Sequence, residues 1–85
     1  MEYTIAVSQP GYMAEVAYDV DSLEEARAAL VDEITRTVDA LDGPDPEAMQ
    51  IGAEEAEKHQ EVGDIDERGG SVKVGCWVHE IIPSD

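Results

Sequence analysis

SLEEARAALVDEITRTVDAL, residues 22–41, decides the architecture. Leu23, Ala26, Leu30, Ile34, Val38 and Leu41 step by three or four, which lays a single apolar stripe along a helix. Two overlapping capping patterns open it, Asp21-x-x-Glu24 and Ser22-x-x-Glu25. Either satisfies free backbone N–H groups and sets carboxylates at the positive end of the helix dipole. Asp42-Gly43-Pro44 closes it, because glycine accepts the left-handed conformation that ends a helix and proline cannot continue one.

On the N-terminal side, Tyr3, Ile5 and Val7 alternate with polar or small residues. After Pro10-Gly11 the alternation resumes through Tyr12, Ala14, Val16, Tyr18 and Val20. Two such runs around a Pro-Gly turn predict an antiparallel hairpin. On the C-terminal side, Asp45 before Pro46 predicts a second helix from Pro46 to about Glu61, weakened by Gly52 and with a poor apolar stripe. Residues 63–70 (GDIDERGG) form a polar loop. Residues 71–82 alternate as one strand, with Val72, Val74, Cys76 and Val78 on one side and Lys73, Gly75, Trp77 and His79 on the other. The expectation is an α+β domain of order β-β-α-α-β over residues 1–85. Its three-stranded, mainly antiparallel sheet has helices on one face, and the last strand lies beside the first.

The charge is lopsided: 21 Asp and Glu against 5 Lys and Arg, a formal net charge of −16. A chain this acidic repels phosphate backbones and anionic lipid, so direct nucleic-acid or membrane-surface binding is disfavoured. Hydrophobic residues at 42 % in periodic segments argue for a folded chain over a disordered one. No apolar run approaches the roughly 20 residues of a spanning helix, and the N-terminal residues lack a signal-peptide pattern. The lone Cys76 fits a reducing, cytoplasmic setting and is assigned to core space.

Between Glu15 and Arg68 there are 18 acidic and 4 basic residues, a net of −14. The acid therefore belongs to the helices and their loops. Glu24, Glu25, Asp32, Glu33, Asp39 and Asp42 are expected to project from the first helix, and Glu54, Glu55 and Glu57 from the second. The excess is beyond the roughly 2–8 charges that solubility asks of a small domain. Carboxylates on successive turns would be separated by about 5–6 Å, comparable to neighbouring phosphates, and could occupy the Lys/Arg groove of a nucleic-acid-binding protein. The competing reading makes the acidity a matter of solubility or salt adaptation. The protein is then a homodimer joined through the sheet face opposite the helices, where Thr4, Ala6, Met13, Ala17 and Trp77 are placed.

Catalytic and metal chemistry find no support in the pattern. Glu55 and His59 have i, i+4 spacing, but two ligands make no site. Cys76 and His79 would point to opposite faces of a strand. No phosphate loop or nucleophile motif is present, and no cofactor is implied.

Two resemblances bear on function. The opening YTIAVSQPGYMAEVAYDVDSLEEARAALVDEI and the closing GGSVKVGCWVHEI resemble small accessory proteins of actinobacterial bacteriophages. That resemblance implies a role in the host cytoplasm, where small acidic proteins act as anti-restriction or anti-CRISPR inhibitors. Tyr3-Thr4-Ile5, Gly11-Tyr12 and Ser22-Leu23-Glu24-Glu25-Ala26 are similar to the N-terminal part of HicB-type antitoxins, as far as about residue 35. This second likeness implies masking of a basic toxin. Both imply an acidic domain covering a basic protein. The reading taken from the charge pattern is a non-enzymatic blocker whose expected contact residues are Glu24, Glu25, Asp32, Glu33, Asp39, Glu54, Glu55 and Glu57.

Overall fold

Alternating side chains at Tyr3, Ile5 and Val7 make residues Tyr3–Ser8 a strand with one buried edge of side chains, β1. In the computed structural model, which describes residues 2–9, 11, 16–41 and 44–84, β1 pairs antiparallel with Val16–Val20, β2. Helix α1 follows at Leu23–Ala40. Ser22 caps it by accepting from the Glu25 N–H at 3.1 Å, and the Glu25 carboxylate reaches back to the Asp21 N–H at 3.3 Å. The second of the two overlapping capping patterns is the one used. Asp42 and Gly43, read as part of the helix stop, lie outside the described residues, as does the start of the second strand at residues 12–15.

The single helix expected after Pro46 is two. Asp45 caps Pro46–Ala53, α2, by accepting from the Glu47 N–H at 2.9 Å, and a break at Glu54 leads into Glu55–Gly63, α3. With Gly52 and Ala53 at its end, α2 buries no residue completely, so little packing holds the two in one continuous cylinder.

The single C-terminal strand is likewise two, Gly70–Val74 (β3) and Trp77–Pro83 (β4), joined by Gly75-Cys76. Gly75 sits at φ +63° at the first central position of this two-residue loop, the type II′ pattern of a tight hairpin. The sheet has four antiparallel strands in the order β2-β1-β4-β3, and the chain order is β-β-α-α-α-β-β. This corrects the three-stranded expectation: β4 does pair with β1, but as an inner strand with β3 added outside it.

The turn also reverses the facing of half the C-terminal residues. Val74 opposes Trp77 and Val72 opposes His79, so Trp77, His79 and Ile81 share the helix-facing side with Val72 and Val74. Cys76, assigned to the core from the sequence, is exposed at the turn and accepts from Gln9 Nε2 at 3.0 Å.

The core lies between the sheet and α1, built on Ile5, Leu30, Ile34 and Ile81. α3 adds Val62, and the loop after it adds Ile65. Arg27 of α1 pins that loop by donating from both Nε (2.9 Å) and Nη2 to the Ile65 carbonyl. The opposite face carries Thr4, Ala6, Ala17, Lys73 and Glu80 by register, and among the described residues no helix lies over it. No helix of the described residues is long and apolar enough to cross a membrane.

Candidate functional site

Helix geometry sorts the eight acidic residues singled out above. Glu24, Glu25, Asp32 and Asp39 are exposed on α1, and Glu57 is exposed on α3. Glu54, at the junction of α2 and α3, and Glu55, in the first turn of α3, are half-buried. Glu55 lies 3.6 Å from His59, which is also 3.4 Å from Thr35 on α1.

Glu33 is the exception. It is buried, at 6 % exposure, because it stands seven residues after Ala26 and so shares the inward face with Ala26, Leu30 and Val38. With Glu33 removed, the outward acidic line on α1 is Glu25, Asp32, Asp39. Its seven-residue repeat corresponds to about 10.5 Å along the axis, twice the spacing expected of a phosphate-like row.

The basic residues do little to compensate this layer, because four of the five already have a partner within the chain. Arg27 holds the Ile65 carbonyl, Arg36 pairs with Glu33 (3.2 Å), Lys58 with Glu61 (3.3 Å) and Arg68 with Asp66 (2.9 Å). Hydrogen bonds from Arg68 hold the Asp66 carboxyl below the usual carboxylate range, so that acid stays ionised even in mild acid. Among the described residues the Glu24, Asp32, Asp39, Glu57 and Glu67 carboxylates have no ion-pair partner and face solvent.

A second feature was not anticipated. Beside Glu33, α1 and the sheet leave a groove of about 440 Å³ lined by Val7, Val16, Ala40, Leu41 and Trp77, with Glu33, Arg36 and Thr37 on its polar side. Trp77 thus belongs to the helix side of the sheet and cannot join Ala17 in one face, which corrects its placement at a dimer seam. Met13, assigned to the same seam, lies outside the described residues. The cue for the groove was Gly75, which reverses the parity of every residue after it.

Glu33 meets Tyr18 and Arg36 through one carboxylate oxygen. The Tyr18 hydroxyl donates to Oε1 at 3.4 Å and Arg36 Nη1 donates at 3.2 Å. Partial burial, followed by the Glu33 charge and hydrogen bond, raises the Tyr18 pKa and keeps the phenol neutral.

Behind the groove, Thr37 Oγ1 donates to the Glu33 carbonyl at 3.0 Å and lies 2.8 Å from His79 Nε2. The Thr37 hydroxyl thus joins the Glu33 carbonyl to the His79 ring, whose other nitrogen is Nδ1. That Nδ1 is buried without a hydrogen-bond partner among the described residues. Burial lowers the His79 pKa from 6.5, against smaller raising effects of the Val72 backbone, the Glu33 charge and the Glu33 backbone.

The sign of the resulting pH dependence follows. Below about 6.5 the unfolded chain takes up a proton that folded His79 resists, so stability is full above that pH and declines as pH falls. Most carboxylates remain ionised in this window. Denaturant midpoints measured from pH 7.5 to 5.5 are expected to fall, and His79→Gln is expected to flatten the slope.

No protein-family model, curated protein or solved structure matches the chain. The described residues hold no cluster of three or more His, Cys, Asp or Glu able to bind a metal ion.

Proposed function

We propose that this chain is a non-enzymatic binding protein whose acidic helical layer covers a basic, nucleic-acid-binding protein and blocks its access to nucleic acid. The observation that carries this reading is that four of the five basic residues have partners elsewhere in the chain, which leaves Glu24, Asp32 and Asp39 of α1 and Glu57 of α3 without an ion-pair partner. A field of that kind steers a cationic partner and repels an anionic one. The likenesses to phage accessory proteins and to HicB-type antitoxins favour the same act. Under the former the target is a host defence protein; under the latter it is a basic toxin. The 10.5 Å repeat on α1 makes the match to a nucleic acid one of overall field more than of phosphate register.

The test is charge reversal of the α1 line. Glu25→Lys, Asp32→Lys and Asp39→Lys together are expected to lower affinity for a captured nucleic-acid-binding partner by at least about tenfold. The wild-type complex should dissociate with added salt and should release nucleic acid from the partner. Full binding by the triple variant, or self-association as the only interaction recovered, would overturn the reading and favour a homodimer.

A further inference from the structure

The groove beside Glu33 has the composition of a socket for one cationic side chain. We propose that it receives an arginine of the basic partner, with the guanidinium on Glu33 and the stem against Trp77, an inference that rests on the acidic-layer reading above. A net charge of −16 selects a cationic occupant. Both hydrogen bonds to the Glu33 carboxylate fall on Oε1, at 3.2 and 3.4 Å, and no described residue donates to Oε2. A carboxylate half-used in this way suits the fork of a guanidinium, which donates two parallel N–H bonds.

The resident Arg36 is no obstacle. Its side chain is 76 % exposed and its hydrogen bond falls on Oε1, so a second guanidinium can take Oε2 without displacing it. Val7, Val16, Leu41 and the half-buried Trp77 supply an apolar wall for the methylene stem. The volume of about 440 Å³ leaves room for the arginine and part of its neighbours.

Trp77 is the only tryptophan, so its fluorescence reports directly on the groove. A nona-arginine peptide titrated at about 0.1 M salt, where the screening length is about 10 Å, is expected to shift Trp77 emission and protect it from acrylamide quenching. Glu33→Gln should weaken binding about tenfold. Asp32→Asn, which removes one charge from the adjacent exposed position, should weaken it less than about threefold. Equal losses in the two variants, with Trp77 emission and quenching unchanged on binding, would overturn the socket and leave the acidic layer standing. Failure of the wild-type protein to bind the peptide at all would overturn both. If Glu33→Gln lowers the melting temperature enough to unfold the chain, protection of Trp77 in the wild-type protein decides the matter alone.

Discussion

Leu30→Ala is expected to lower the unfolding free energy by about 2–5 kcal/mol, read as a lower denaturant midpoint with the slope unchanged. Leu30 has no exposed surface and stands near the middle of α1, in the cluster that also holds Ile5, Ile34 and Ile81. Truncation there removes buried apolar atoms and leaves a cavity that strands and helix cannot both close around. Small domains have total stabilities of about 5–15 kcal/mol, and self-repulsion among the carboxylates holds this one toward the low end at low salt. The variant should therefore be substantially unfolded at 37 °C. Leu23→Ala, at the half-buried first residue of α1, should cost clearly less.

Gly69→Ala carries the second large effect, expected at about 2–4 kcal/mol. Gly69 has φ +82°, where a side chain is strained in any surroundings. A Cβ built there would also fall 2.4 Å from the Ile81 carbonyl oxygen and 2.8 Å from Pro83 Cδ. Both obstacles belong to β4, and one is backbone, so relief requires the β3–β4 pairing to shift. The damage should extend to the loop carrying Ile65, because that loop leads directly into Gly69. Gly63→Ala is the matched control. Gly63 ends α3 with open space around it and no positive φ, so alanine there should be neutral or stabilising by up to about 1 kcal/mol. Thermal melts of the two alanine variants side by side check the contrast.

What the sequence showed depended on how far each signal extended. α1 was legible because its apolar stripe runs through five turns and its caps agree with it. The same spacing placed Glu33 inward, seven residues after Ala26, but a charged side chain reads as outward until the groove that receives it is known. The hairpin at Gly75-Cys76 was hidden for a different reason. Val72, Val74, Cys76 and Val78 continue one alternation smoothly, while Trp77, His79 and Ile81 form an equally apolar set of the other parity. Only a two-residue turn lets Val72 and Val74 face the helices together with Trp77, His79 and Ile81, and one glycine was its whole signature. Ile65 lies in a stretch so polar that its burial depends on Arg27, which comes 38 residues earlier. The acidic layer was legible as composition; which carboxylates stand free of partners follows from local pairs two to four residues apart, Glu33–Arg36, Glu55–His59, Lys58–Glu61 and Asp66–Arg68.

The position of β4 between β1 and β3 also governs when the protein can form. Thr4 pairs with Ile82, so the central seam of the sheet joins segments nearly eighty residues apart in the chain. The N-terminal hairpin, α1 and the β3–β4 hairpin are local and can appear early, whereas closure of this seam bears the entropy of the longest loop in the molecule. During synthesis, β1 must wait with one edge unpaired until residues 77–83 have left the ribosome. Throughout that wait, like charges on the unfinished chain keep neighbouring copies apart and guard an exposed strand edge against aggregation.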